Sequence, residues 1–339
     1  MAKAVKLADI AERVGVSTVT VSKALSGQKG VSEEVREKIR SIAEELGYQQ
    51  PSVARKSQNR KSYNIGILIS ERFLVKYESF YWQMYQAVAT RATAKESFTM
   101  LEVIGKAEEE NGKMPKLVQE NKVDGIIVIG KMLDDYLKHL NAEAGIPVIY
   151  LDYYNGREAS DSVISNSYYG TYELTYYLYR MGHRKIAYVG TLLATESITD
   201  RYFGYRKAIL ELGLEQKKEW VLDDRHIETG EIDTVNMLQI PKDMPTAFVC
   251  NCDLTASFLI KKLKENGYRV PEDISVVGFD NYLYPGLSDI QITTYEVDLE
   301  EMALKAVHNM ICKISDKNYK PGIHIVEGHI VLKESVAKI

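Results

Sequence analysis

Apolar residues along this chain follow two rhythms, and the change comes close to residue 62. In the first stretch they recur every three or four positions, the spacing that gathers them on one helical face. Leu7, Ile10, Ala11 and Val14 predict a helix over 7–14, with Gly15 at the position where a left-handed cap ends it. Ser17 stands as an N-cap ahead of Val19, Val21, Ala24 and Leu25, and Gly27 closes this second short helix. Val35, Ile39, Ile42, Ala43 and Leu46 form the stripe of a third helix that follows Ser32 and stops at Gly47. Only about three residues separate the first two helices, so they must cross steeply, and the small Ala11 lets the second pack close: a helix-turn-helix arrangement.

From Tyr63 the rhythm changes to short runs that are apolar throughout, separated by helical stretches. IGILIS from Ile65, FTMLEV from Phe98, GIIVIG from Gly125 and PVIYLD from Pro147 read as strands, with helices over 80–94, 114–121 and 136–143. After Asp161 the cycle restarts: a helix over 168–181, KIAYVG, a helix over 201–212, TAFVC, a helix over 254–266 and ISVVGF. Strands without a polar face, alternating with helices, predict parallel sheets covered on both sides. The fold class is an all-α head joined to an α/β body of two doubly wound lobes.

Composition narrows this. At 339 residues the chain exceeds what one hydrophobic core serves, and 45% apolar with 27% charged residues excludes pervasive disorder. No apolar run approaches the roughly 20 residues that cross a bilayer, and the start lacks a secretory h-region, so a cytoplasmic location is expected. Cys250, Cys252 and Cys312 make neither a disulfide framework nor a zinc set and read as core thiols. Net charge is −4, but residues 1–61 hold 12 basic against 7 acidic residues and the remainder 31 against 40. A basic head on an acidic body suits a polyanion partner for the head alone.

The outer face of the second helix supports that partner. Thr18, Val19, Thr20, Ser22 and Lys23 are short, hydroxyl-bearing or cationic and include no acid, as an element among phosphates and base edges requires. The segment KLADIAERVGVSTVTVSKALSGQKGVSEEVREKI resembles the DNA-binding head of the lactose-repressor and galactose-repressor family of transcription regulators. That resemblance implies that Thr18, Val19 and Lys23 read major-groove base edges, with Ser17 and Thr20 beside phosphates. Residues 49–62 are polar and basic and read as a linker; the family's counterpart is a hinge helix whose leucines wedge into the minor groove. Val53, Ala54 and Arg55 match that hinge and Lys56 adds charge, but Ser57 stands where the leucine is expected.

Open sheets bind ligands beyond the carboxyl ends of their strands, which directs attention to Ser70, Phe80–Tyr81–Trp82, Asp152–Tyr153–Tyr154, Asn166–Tyr168, Thr191–Arg201, Cys252–Asp253 and Asp280–Asn281. Aromatics beside carboxylates and one arginine suit a sugar, whose ring stacks while its hydroxyls take fixed hydrogen bonds. GHRKIAYVG, DRYFGY, CDLTA and ISVVGFDN extend the same family resemblance into the body, whose counterpart is similar to periplasmic sugar-binding proteins. It implies that Arg201 grips the effector and Asp280 accepts from it, while Phe80, Tyr81, Asp152 and Tyr168 line the first lobe; the strand-end positions add Ser197, Cys252 and Asp253 on the second. Cys252 departs from the pattern, which commonly has asparagine there. Local alternatives stand beside these: Arg201 pairing with Asp200 or Glu196, Asp280 closing a turn, and only one of Tyr153 and Tyr154 facing the site.

The implied organisation is a head over 1–48, a hinge over 49–62 and a body over 63–339, with a first lobe of about 63–164 and 294–321 and a second of about 165–293 and 322–339. The implied function is a repressor that binds palindromic operator DNA as a homodimer, with its affinity set by a carbohydrate effector and no cofactor. A purine- or nucleoside-responsive regulator and a non-regulatory sugar-binding protein are the alternatives. No phosphate loop, nucleophile elbow or HExxH pair occurs, so catalysis is not expected.

Overall fold

The computed structural model describes residues 5–25, 30–46, 48, 62–74, 80–155, 161–227, 229–233, 235–283, 286–316 and 318–339. Its internal contacts divide the chain into two units at Ser62 and Tyr63.

The N-terminal unit holds α1 (Leu7–Val14), α2 (Thr18–Leu25) and α3 (Glu33–Glu45). The Asp9 carboxylate accepts from the Lys6 backbone N–H at 2.6 Å, and Gly15 ends α1 at φ 79°. The Ser17 hydroxyl accepts from Thr20 N at 3.1 Å and so caps α2. Ile10, Val21, Ala24 and Ile39 are fully buried around Ala11 and Ala43. Burying each of the larger three contributes about 2 kcal/mol, which makes this small core sensitive to any one of them. Arg36 closes its side, donating from Nη1 to the Ala24 carbonyl at 3.0 Å.

The second unit carries two six-stranded sheets of one design. The first comprises β1 (Asn64–Ser70), β2 (Phe98–Ile104), β3 (Gly125–Ile129), β4 (Val148–Leu151), β5 (Ser162–Ser165) and β11 (Ile323–Val326). Their order is β11-β5-β4-β3-β1-β2, all parallel. The second comprises β6 (Ile186–Val189), β7 (Val221–Leu222), β8 (Ala247–Cys250), β9 (Ser275–Asp280), β10 (Thr293–Glu296) and β12 (His329–Val331), ordered β12-β10-β9-β8-β6-β7. Among the described strands of this sheet, β12 alone pairs antiparallel, on β10. The first sheet is accompanied by α4 (Phe80–Ala94), α5 (Lys106–Glu110), α6 (Lys116–Gln119) and α7 (Asp134–Glu143). The second is accompanied by α8 (Ser167–Arg180), α9 (Glu196–Glu211) and α10 (Asp253–Glu265), and α11 (Leu299–Ser315) packs on α4 and the first sheet.

Strand burial follows from this layering. On β1, Ile65, Ile67 and Ile69 join the cluster with Met84 and Val88 of α4, while Leu68 joins the opposite cluster with Tyr136 and Leu140 of α7. Both faces are covered, so the strand is apolar without alternation. The edge strand β2 departs from the expectation of burial throughout: Phe98 is 64% exposed, and Met100 and Val103 also reach solvent.

Two boundaries need correction. Residues 294–321 were expected in the first lobe and 322–339 in the second, yet β10 lies in the second sheet and β11 in the first. The chain therefore crosses between lobes after Glu296 and again after Val326, because each sheet completes itself with a strand from the C-terminal segment. The helix expected over 201–212 begins earlier, at Glu196, where the Thr195 hydroxyl accepts from Ile198 N at 3.2 Å.

Candidate functional site

In the head, α2 presents its residues on two sides. Val21 and Ala24 are buried, whereas Thr18 and Lys23 are exposed and Val19 is 61% exposed, so a valine stands in water at the start of the helix. The Ser17 and Thr20 hydroxyl oxygens lie 2.9 Å apart while Ser17 Oγ caps the helix as an acceptor, an arrangement that uses only one of the two hydroxyl hydrogens. Val53, Ala54, Arg55, Lys56 and Ser57 lie outside the described residues.

In the body, the repeated strand order places a switch point between β1 and β3 in one sheet and between β6 and β8 in the other. Side chains from those carboxyl ends meet. Arg201, in the first turns of α9, is 4% exposed and has all three nitrogens engaged. Nε donates to Ser167 Oγ at 3.3 Å, Nη1 to the Asn251 carbonyl and Nη2 to Asp280 Oδ1 at 3.1 Å, and the guanidinium lies 3.8 Å above the Phe279 ring. From the first lobe, the Tyr81 hydroxyl donates to Asp152 Oδ2 at 3.2 Å, and Phe73 packs on the Tyr81 ring at 4.5 Å.

The charges of this group act on one another. Burial pushes the Asp152 carboxyl up to about 7, with Arg201 opposing and Asp280 adding to the rise. Burial also raises Asp280, again opposed by Arg201, and it drives the Tyr81 phenol well above its ordinary value. Asp152 at φ 60° and Asp280 at φ 97° occupy the left-handed region that favours glycine, so the backbone holds both carboxylates against local strain.

Four of the expected effector residues, Tyr81, Asp152, Arg201 and Asp280, thus converge. The partner of Arg201 is Asp280 rather than Asp200 or Glu196. Cys252 adjoins them at the N-cap of α10, its sulfur accepting from Thr255 N at 3.5 Å. Phe80 packs edge-on against Tyr81 at 5.7 Å. Three positions differ from expectation. Asp253 is 2% exposed and accepts from Tyr282 N at 3.1 Å, with its carboxylate against Gly278, where no side chain would fit. Tyr168 is 40% exposed on the α8–α9 surface, its ring 5.8 Å from Lys207 Nζ. Ser197 Oγ pairs with Thr195 Oγ1 at 3.0 Å in the first turn of α9.

Sequence reasoning missed a buried cluster beside this group. Asp224 is fully buried, and Arg225, Thr191, Asn251 and Thr255 all donate to it. Only the two-residue strand β7 leads into Asp224, and a run that short leaves no periodic signal. Three bonds also tie one lobe to the other. The Tyr154 hydroxyl donates to Asp200 at 3.0 Å, Lys131 Nζ to Glu196 at 3.2 Å and Arg72 Nη1 to the Thr229 carbonyl at 3.0 Å. Among the described residues no helix is long and apolar enough to cross a membrane, and no cluster of His, Cys, Asp or Glu is placed to hold a metal.

A three-helix head with an exposed reading face and an α/β body with a polar cleft between switch points define a DNA-binding transcription regulator with a ligand-binding effector domain. Comparisons with known proteins agree over both units. Residues 6–51 match the model of bacterial regulatory proteins of the lacI family, and residues 175–336 match a periplasmic binding protein-like domain. The head thus matches the lacI family of bacterial regulatory proteins, and much of the body matches a periplasmic binding protein-like domain. It is 28% identical over 333 residues to the HTH-type transcriptional repressor PurR of Vibrio campbellii, covering 98% of both chains. Its fold is that of the transcriptional regulator CelR in complex with cellobiose (TM-score 0.68, 24% identity, 98% of this chain and 99% of that one). It is likewise that of the lac repressor dimer bound to operator and the anti-inducer ONPF (TM-score 0.66, 23% identity, 99% and 100%).

Proposed function

We propose that this chain is a cytoplasmic, non-enzymatic repressor that binds a palindromic operator as a homodimer and changes its operator affinity when a sugar or oligosaccharide occupies the cleft. Thr18, Val19 and Lys23 are the base-reading residues: Val19 by apolar contact, as with a thymine methyl, and Lys23 by donation to guanine. Ser17 and Thr20, with the backbone amides at the start of α2, are the phosphate contacts, since the cap uses Ser17 Oγ only as an acceptor. Two heads must sit about one DNA turn apart to read both half-sites, which requires that the bodies associate. Val53, Ala54, Arg55 and Lys56 supply the hinge contacts with the minor groove or backbone, and Ser57 argues against a leucine wedge.

The observation that carries the effector reading is the set Tyr81, Asp152, Arg201 and Asp280, which offers an aromatic face beside fixed donors and acceptors from both lobes. A ligand that bridges them favours one lobe arrangement, and only differential binding of that kind shifts an equilibrium. A purine effector is the second reading, favoured by the similarity to PurR over nearly the whole length. Thermal melting of the full chain with a sugar panel and a nucleobase panel separates the two: stabilisation by sugars alone supports the first, by hypoxanthine or guanine alone the second. If no genomic fragment competes better than random DNA, with or without ligand, the regulator reading fails.

A further inference from the structure

The helix pair α8–α9 carries aromatics on its outside. Tyr169, Tyr172, Tyr176 and Tyr179 recur at three- and four-residue spacing along one face of α8. Their rings form a ladder, 6.1 Å from Tyr169 to Tyr172, 5.3 Å on to Tyr176 and 6.3 Å on to Tyr179. Helix α9 comes close enough to extend this face, because Gly204 lies against the Tyr168 carbonyl where no side chain would fit. Lys207 Nζ then stands 4.7 Å from the Tyr172 ring, and the Tyr172 hydroxyl donates to Glu211 at 2.8 Å. Phe203 and Leu210, one turn to either side of Lys207, are 54% and 67% exposed.

Packing within one chain does not account for this face. Tyr168 and Tyr169 remain 40% and 45% exposed; at about 200 Å² for an aromatic side chain, these two and Phe203 leave about 280 Å² in water. With Leu210 and the half-buried tyrosines the patch is on the order of 500 Å², the size of the largest patch on a typical monomer. Its charged rim brings it toward the roughly 800 Å² per partner that a stable interface covers.

The rim is polarised along α8. At its start, Glu173 and Glu327 lie beside Tyr169, and Glu327 accepts from Asn166 Nδ2 at 2.8 Å. At its end stand Arg180 and Arg184, the latter 3.9 Å over the Tyr179 ring. Among the described residues, none of these four charges has an ion-pair partner. The helix dipole favours that order of charge but does not explain tyrosines in water. A two-fold axis beside Tyr176 answers both: it lays α8 antiparallel on its copy, so that Glu173 meets Arg180 of the second copy and the contact is made twice. The chain enters the body at Tyr63, and Asn64 of β1 pairs with Phe98 on the edge strand β2, so the first lobe governs the contact that spaces two heads. The helices α8 and α9 flank the other sheet and are left for a second contact.

We propose that the α8–α9 face docks a second copy of this chain, α8 antiparallel on α8, and so joins two operator-binding pairs into a four-chain assembly. The four-chain count rests on the homodimer of the proposed function; the contact itself does not. The test is sedimentation velocity of the full chain, beside competition for a genomic fragment preferred over random DNA. The parent should sediment as four chains. Phe203→Glu with Leu210→Glu, both at exposed positions, should halve the assembly to two chains, with an unchanged circular dichroism spectrum and unchanged affinity for one fragment. Glu173→Arg should raise the dissociation constant of the four-chain state by about tenfold or more, and adding Arg180→Glu should restore it. A parent that never exceeds two chains, or folded variants that keep its mass, overturn the proposal and leave the face to a different protein. A fall to single chains with loss of DNA preference makes this the head-pairing face instead and overturns the second contact. Failure of the double charge reversal to restore association overturns the antiparallel arrangement. If the parent forms four chains yet prefers no fragment, the association stands and the regulator reading fails.

Discussion

Arg201 and Asp280 meet at 3.1 Å, Nη2 to Oδ1, with only 5% and 13% of their side chains exposed. The pair joins a helix start to a strand end, and Phe279 of that same strand lies beneath the guanidinium. Arg201→Ala should remove ligand-induced stabilisation and, by stranding Asp280, cost about 3–5 kcal/mol of body stability. Denaturant titration of the unliganded protein measures the second effect and thermal melting with ligand the first. A variant that keeps the full ligand shift would place the binding group elsewhere.

Asp152 gives the body a pH dependence of defined sign. Its carboxyl is raised from 3.8 to about 7, so the folded state binds a proton that the unfolded chain has released. The associated stability is fully present below about pH 4 and is lost as pH rises through 7, a difference on the order of 4 kcal/mol at most. Asp152→Asn should therefore melt higher than the parent at pH 8, with the gap closing toward pH 4. Parallel melting curves at all pH values would contradict this.

Two valines of α2 that are two positions apart should behave oppositely. Val21 is fully buried and Val19 61% exposed. Val21→Ala should destabilise the head by about 2 kcal/mol. Val19→Ala should leave the melt unchanged but reduce operator discrimination by about 1 kcal/mol, read by competition against random duplex. A loss of head stability in the Val19 variant would reassign that residue to packing.

The bonds between the lobes should set how often the cleft is closed. Tyr154→Phe combined with Lys131→Met removes the links to Asp200 and Glu196 without touching the Arg201 group. The double variant should have a larger radius of gyration in solution scattering and bind effector more weakly, with an unchanged far-ultraviolet spectrum. Identical scattering profiles would mean that these bonds do not hold the lobes together.

Several elements were legible in the sequence because periodicity is local. The helices over 7–14 and 80–94 fall where the sequence predicts, and β1 and β3 read as buried strands because the stretches 65–69 and 125–129 hold no polar residue. Tyr81, Asp152, Arg201 and Asp280 were reachable because each follows a recognisable strand or opens a helix. What the one-dimensional pattern lacked was depth and edge. Nothing in the letters separates Asp253, buried against Gly278, from Asp280, which faces Arg201. Tyr168 was expected in the cleft from the family resemblance, but its backbone packs against Gly204 and its ring is 40% exposed beside Lys207.

By itself, then, the sequence determined the helical head, the alternation of strand and helix and the residue types available for a site, all consequences of spacing along the chain. Tertiary structure alone decided which lobe receives β10 and β11 and that Arg201 chooses Asp280 from 79 residues away. It also brought Asp224, Arg225, Asn251 and Thr255 into one buried cluster. Those outcomes depend on sheet order, which sets distant strand ends side by side and fixes how deeply each side chain is removed from water.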